Sequence, residues 1–246
     1  MMRVRVLLFG VLKEFFGSDA MNAELPDGAR VADLLKQLAA SRPMPALKSL
    51  AVSVNAEFAN ASQVLRDGDE VGLLPPVSGG AASRDDVGRN DAERGGSVAF
   101  THSPIASAEI IAQAKQGEDG AVVVFDGIVR NETRGRSVLH LDYEAYEEMA
   151  LRQMERLASE AKGKFGVRHV TIVHRLGRLQ VGESSILIVV ASARRAQAFD
   201  ACRWLIDTVK TTVPIWKRET FADGAVWADG EPFPAEVSIA AKLQKN

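Results

Sequence analysis

"LLPPVSGGAASRDD", residues 73–86, reads as the end of one domain with more chain running on behind it. An apolar run meets Pro75-Pro76, continues as Val77-Ser78-Gly79-Gly80, and then turns polar. Gly-Gly has no side chain to pack and loses more conformational freedom on ordering than any other dipeptide. A bare Gly-Gly at a domain boundary therefore serves something other than packing. Residues 81–98 carry almost nothing apolar and read as a flexible polar linker by composition. As a coil such a segment spans about 23 Å, and fully stretched it reaches about 60 Å.

Working back from Gly80, Val71–Leu74 is a last strand, preceded by the turn Asp67-Gly68-Asp69-Glu70 and by a strand over 49–55. Val31, Leu34, Leu35 and Leu38 mark one face of an amphipathic helix. Residues 21–25 form a strand closed by Pro26-Asp27-Gly28. Residues 3–9 form another, with Val4, Val6 and Leu8 alternating against Arg3 and Arg5; a short helical piece over 11–16 follows it. The order β-β-α-β-β within 80 residues predicts a small sheet wrapped on one helix, of the ubiquitin-like β-grasp kind, with residues 75–80 projecting as a tail.

Working forward, Ser103-Pro104 has the form of an N-cap followed by proline at the first helical position. Apolar strands are predicted over 120–129, 138–143, 170–174 and 185–191, with helices over 147–164 and 196–210. Phe199, Trp204, Ile206 and Val209 supply the bulk of the second helix. Pro214 forbids its continuation, so residues 215–221 run extended.

Composition narrows the function classes. The chain has 246 residues, 46% hydrophobic and 25% charged, with a net charge of −2, which suits two globular domains. Lys and Arg number 8 against 9 Asp and Glu in residues 1–80, 3 against 4 in 81–98 and 19 against 19 in 99–246. No region has the basic excess of a nucleic-acid binder. No stretch approaches the roughly 20 apolar residues of a membrane span, and the expected address is the cytoplasm. One cysteine, Cys202, excludes a disulfide framework and a Cys-x-x-Cys pair; its helical apolar setting reads as buried and structural. The histidines have no metal-ligand spacing, so His102, His140 and His174 read as structural, and no metal is expected.

Cations carry the chemical signal. Arg130 lies where an apolar strand ends, with Arg134 and Arg136 in the loop beyond. Arg194-Arg195 sits at a strand-to-helix junction, where backbone N–H groups and the helix dipole favour an anion such as a phosphate or carboxylate. Lys210, Lys217 and Arg218 bracket Pro214. Any single loop arginine is more often plain solvated surface. A lysine held among apolar neighbours suits proton transfer or imine chemistry, and composition does not choose between them.

These residues, in order, resemble a known family. "SVN", "DGDEV" and "PPVSGG" within 53–80 resemble the small subunit of molybdopterin synthase, a ubiquitin-like sulfur carrier. "GAVVVFDGIVRN" (120–131), "HRLGRLQVGE" (174–183), "ASARRAQAF" (191–199) and "VKTTVPIWKRE" (209–219) resemble its large, catalytic subunit. The resemblance implies an α+β fusion: a β-grasp carrier over 1–80, a linker over 81–98, and an α/β-hammerhead-type catalytic domain over 99–246. It implies sulfur transfer from a thiocarboxylate at Gly80 to cyclic pyranopterin monophosphate, giving the dithiolene of molybdopterin in two deliveries, with no permanently bound cofactor. An E1-like adenylyltransferase and a sulfur donor would act on the Gly80 terminus, and the large subunit would form a homodimer. Lys210 and Lys217 match the family's essential lysines: Lys217 for acid/base or covalent help, Lys210 for stabilising the thiocarboxylate or intermediate. Ile128, Val129, Arg130, Arg194, Arg195, Arg218 and Glu219 match its substrate pocket. The family commonly has His-Arg where this chain has Arg194-Arg195. If that His only binds the anion, Arg194 replaces it; if it moves protons, Arg cannot. Because an Ala81 peptide bond hides the Gly80 carboxylate, the expectation is that the chain is cut after Gly80 or is silent as a donor while intact. The rival expectation is a carrier precursor whose second domain is mainly a docking scaffold.

Overall fold

A computed structural model of the chain describes residues 1–41, 49–77, 98–230, 232–234 and 236–239. Gly79, Gly80 and residues 81–97 of the expected linker lie outside the described residues. The chain divides into two units, Met1–Gly79 with Asp229–Asn246, and Gly80–Ala228.

In the first unit the strands are β1 (Met2–Leu8), β2 (Ala20–Leu25), β3 (Ala51–Val54), β4 (Glu57–Ala59) and β5 (Glu70–Leu74). They form one sheet in the order β2-β1-β5-β3-β4, with β1 and β5 parallel at its centre. The alternation read in β1 is real: Val4, Val6 and Leu8 are buried, while Arg3 and Arg5 face water and pair with Glu24 and Glu70 at 2.8 and 3.4 Å. Helix α1 (Val11–Phe16) follows β1, and α2 (Val31–Ser41) buries Val31, Leu34, Leu35 and Leu38 against the sheet. The Asp67–Glu70 turn rests on Gly68 at φ 84°, where a side chain would be strained, and on Asp69, whose carboxylate accepts the Arg66 amide at 2.8 Å. Strand β4 was not expected. It is made by a two-residue turn with Asn55 and Ala56 both at positive φ (53° and 62°), the conformation usually marked by Asn-Gly. Asn55 makes up for the missing glycine by donating to Asp69 and accepting the Glu70 amide.

In the second unit β6 (Val98–Thr101), β10 (His169–Arg175), β12 (Ser184–Ser192) and β7 (Ala121–Ile128) form a sheet in the order β6-β10-β12-β7. Strand β6 thus starts at Val98, inside the span read as linker. A second sheet runs β11-β9-β13-β14: β11 (Gly177–Gln180), β9 (Arg136–Ala145), β13 (Ile215–Phe221) and β14 (Gly224–Trp227), with β8 (Glu132–Thr133) on β9. Helices α4 (Glu147–Phe165) and α5 (Arg195–Thr212) cover one face of the first sheet, meeting Ile186, Ile188 and Val190. Helix α3 (Ser107–Ala114) covers the other face, meeting Leu187 and Val189. Burial on both faces is why β12 reads as an unbroken apolar run.

Two local readings are corrected. Helix α3 starts at Ser107, after Ala106, because Ser103 is held in a turn by Thr101 rather than capping a helix. In α5 the buried stripe is Ala198, Ala201, Cys202, Leu205, Ile206 and Val209, and Phe199 points outward. The last described residues, read by sequence as part of the second domain, pack in the first unit. Ile239 belongs to its core cluster and Ser238 pairs with Ala51.

Candidate active site

The site is built on β13. Proline ends α5 as expected, with Val213 before it extended (φ −85°, ψ 126°), as a residue preceding proline prefers. The chain re-enters as a strand paired to β9, so side chains alternate. Ile215, Lys217, Glu219 and Phe221 share one face. Ile215 lies in the core under α4 and α5, and Phe221 in the smaller cluster with Val129, Val138, Leu141 and Leu179. Lys217 and Glu219 sit between these two apolar clusters, Lys217 Nζ 3.1 Å from Glu219 Oε1. Glu219 is only 4% exposed, while Lys217 is half-buried. A lysine expected among apolar neighbours alone thus has a buried carboxylate beside it.

Register adds what spacing could not. Lys217 stands opposite Tyr143, and Glu219 opposite Leu141, in the antiparallel pair with β9. Directly opposed residues share a face. The Tyr143 ring packs edge-on against His174 at 5.1 Å, and Phe100 lies 6.3 Å from the same imidazole. His174 is buried, its Nδ1–H donating to the Arg175 carbonyl at 2.9 Å, and burial pulls its pKa down to about 4. It stands neutral at pH 7, in keeping with a structural role. The next residue, Arg175, is buried and pairs with Glu183 at 3.1 Å. Glu183 is held below the usual carboxylate range first by the Gln180 amide and then by Arg175.

The family-matched residues do not all meet. Arg218 alternates to the opposite face of β13, opposite Asp142 and Trp227. Val129 is a core residue, clasped by the Glu183 carbonyl and by the Gly182 amide, while Ile128 and Arg130 on either side of it are exposed. On the sheet, Ile128 pairs with Ser184 and Ala121 with Ser192. His174 pairs with Ile186, which pairs with Gly127, so Tyr143, Lys217 and Arg130 belong to the Ile128 end. Helix α5 begins at the opposite end, where Arg194 and Arg195 are exposed, and its 18 residues run back about 27 Å to bring Lys210 into its last turn. Arg194-Arg195 is thus separated from Arg130 by the length of β7, about 25 Å. Within one copy the expected pocket is two clusters: Arg130, Lys210 and Lys217 at one end, the arginine pair at the other.

Cys202 is buried, its thiol pushed up to about 11 chiefly by burial. Among the described residues no group of three or more His, Cys, Asp and Glu is placed to hold a metal. Nor is any described helix long and apolar enough to cross a membrane.

Comparison with known proteins places both units. The family described as MoaE protein matches residues 100–212, and the ThiS family matches residues 6–80. The molybdopterin synthase catalytic subunit of Pyrococcus abyssi is 46% identical over 123 residues, 50% of this chain and 83% of its own length. That of Homo sapiens is 35% identical over 158 residues, 63% of this chain and 84% of its own. The crystal structure of molybdopterin synthase from Staphylococcus aureus is similar with a TM-score of 0.50 at 37% identity, covering 52% of this chain and 94% of that one.

Proposed function

This chain belongs to the family of molybdopterin synthase catalytic subunits, fused behind a ThiS-family unit, and from that premise we propose how it moves sulfur. The chain is a sulfurtransferase of molybdenum cofactor biosynthesis. Its donor is a thiocarboxylate at Gly80, and its acceptor is cyclic pyranopterin monophosphate. The thiocarboxylate sulfur attacks a substrate carbon and forms a C–S bond, giving a thioester as that carbon's oxygen substituent leaves. Water then cleaves the acyl C–S bond, returning the Gly80 carboxylate and leaving a thiolate on the substrate. A second delivery completes the dithiolene.

The observation that carries this reading is the Lys217–Glu219 pair, held between two apolar clusters at the Arg130 end of the fold. An ammonium oriented by a buried carboxylate is suited to protonate a departing oxygen or to stabilise a developing anion. Lys210 adds positive charge from the end of α5. Arg130 supplies a guanidinium for the substrate phosphate. Arg194 and Arg195 join them from a second copy, in a homodimer formed through the catalytic unit, since β7 separates them within one chain. Arg194 then binds anion at a helix N-terminus, a role that needs no proton movement. The carboxylate that must be adenylated and thiolated exists only after the chain is cut behind Gly80, and an E1-like enzyme with a sulfur donor acts on that terminus.

Intact mass spectrometry of protein from its own host, followed by a product assay, tests this. The expected species is a fragment ending at Gly80, with a gain of about 16 Da when oxygen is replaced by sulfur. Repeated turnover by an uncut chain, or molybdopterin formation by Lys217→Ala protein at the unaltered rate, overturns the reading.

A further inference from the structure

The C-terminal segment behind β14 departs from what its place in the chain suggests. Strand β4 pairs with β3 only from Val52 to Val54, which leaves the Ala51 end of that edge open. Ser238 occupies it, pairing antiparallel with Ala51. The Ile239 amide donates to the Leu50 carbonyl at 2.7 Å, and the Phe233 amide to the Ser49 hydroxyl at 3.2 Å. Both side chains are anchors, each 3% exposed. Ile239 completes the apolar core of the first unit, and the Phe233 ring meets Phe58 of β4 edge-on at 5.7 Å. At Gly230 the segment crosses so close to Pro76 that a Cβ there would overlap the Pro76 carbonyl backbone.

These contacts are a single bridge on an open sheet edge, with one main-chain bond beside it, a bond to the Ser49 hydroxyl, and two buried apolar side chains as anchors. We propose that the segment carrying Gly230, Phe233, Ser238 and Ile239 is a docking strap, a built-in ligand of the ubiquitin-like unit that ties it to the catalytic unit independently of residues 81–97. A cut in the linker then does not release the carrier. The strap keeps it on the polypeptide that consumes its sulfur, while Gly230 lets the segment pass flush against the base of the carrier's tail. The idea stands apart from the sulfur chemistry, because it concerns what stays bound after a cut and not what is transferred.

The test inserts a specific protease site between Gly80 and Val98 of the full chain, cuts it, and follows the two pieces by size exclusion and sedimentation over a dilution series. The wild-type pieces should travel together at micromolar concentration. Phe233→Ala with Ile239→Asp should raise the Kd at least about 100-fold, given the apolar area removed. Ile239 is also core, so Gly230→Ala provides a second variant that leaves the carrier's own side chains intact. It too should weaken association, and hydrogen exchange at residues 49–51 should speed up in the uncut chain while the rest of the carrier stays protected. Wild-type pieces that separate on cutting overturn the proposal, as do variants with unchanged Kd and unchanged exchange.

Discussion

Acid should destabilise the second unit through one side chain, His174. The imidazole is 5% exposed and is enclosed by Phe100 from β6 and Tyr143 from β9. The charged groups around it are Arg175, the next residue of its strand, with that residue's partner Glu183, and, beyond Tyr143, Lys217 with Glu219. Burial lowers its pKa from 6.5 to about 4, so the unfolded chain takes up a proton that the folded chain refuses. Stability is therefore full above the unfolded value, falls as the pH drops below it, and stops falling once the folded value is passed. Linkage gives a loss of about 2 kcal/mol between pH 7 and pH 5, and a limit near 3 kcal/mol at lower pH. All three tryptophans, Trp204, Trp216 and Trp227, lie in the second unit, so urea unfolding followed by their fluorescence reports on that unit alone. The perturbation is His174→Gln, which can still donate a hydrogen bond and does not titrate. Its absolute stability will drop, but between pH 7 and 5 its stability should change by about 2 kcal/mol less than that of the wild type. Carboxylates that lose their partners in acid, Asp119 and Glu183 among them, contribute equally to both proteins and cancel in the comparison. Parallel pH profiles for the two proteins would refute the assignment.

Other consequences follow from the same geometry. Lys217→Ala should slow sulfur transfer at least about 100-fold in a single-turnover assay, and it should also lower the urea midpoint because the buried Glu219 carboxylate loses the ammonium beside it, whereas Lys217→Arg should restore the midpoint without restoring the rate. Glu219→Gln, which keeps the shape and removes the charge beside Lys217, should slow transfer about 10-fold or more, and a rate equal to wild type would remove Glu219 from the machinery. Cys202 should resist alkylation in the folded protein at pH 8 and react once urea unfolds it, and Cys202→Ala should transfer sulfur normally. Arg168 holds Asp119 through two guanidinium nitrogens and also caps the Ala114 carbonyl at the end of α3. Arg168→Ala should lower the urea midpoint by an amount equivalent to about 1 to 2 kcal/mol, because it removes the paired bonds to Asp119 and the bond to the Ala114 carbonyl at once.

Much of this was legible in the chain because period and burial agree. The two-residue alternation of β13 already put Lys217 and Glu219 on one face and Arg218 on the other. The apolar run of β12 announced a strand covered on both sides. Short elements left weaker traces: β4 is three residues behind an Asn-Ala turn, and β11 and β14 are four residues each. Their pairing comes from neighbours far along the chain, which no local pattern records. The same is true of Tyr143, brought opposite Lys217 by register, and of His174, which meets the Tyr143 ring from the other sheet. The segment around Phe233 and Ile239 is broken by Pro232 and Pro234, which mark no regular element, and its anchors acquire meaning only against the β3 edge.

The separation of the arginine pair from Arg130 has a further consequence for a fused chain. If one substrate needs both clusters, each pocket draws Arg130, Lys210 and Lys217 from one copy and Arg194 and Arg195 from another. Two pockets then form per pair of chains, and each chain supplies one carrier, so the supply of carriers matches the number of pockets by covalent construction. Separate subunits reach that ratio only through balanced synthesis and tight binding. If the chain is cut behind Gly80 as proposed, a strap that retains the carrier preserves that ratio after the cut. On the proposals made above, the polar linker, a glycine terminus freed by a cut and the C-terminal strap would answer one requirement between them: a tail released at one end while the domain bearing it stays at hand.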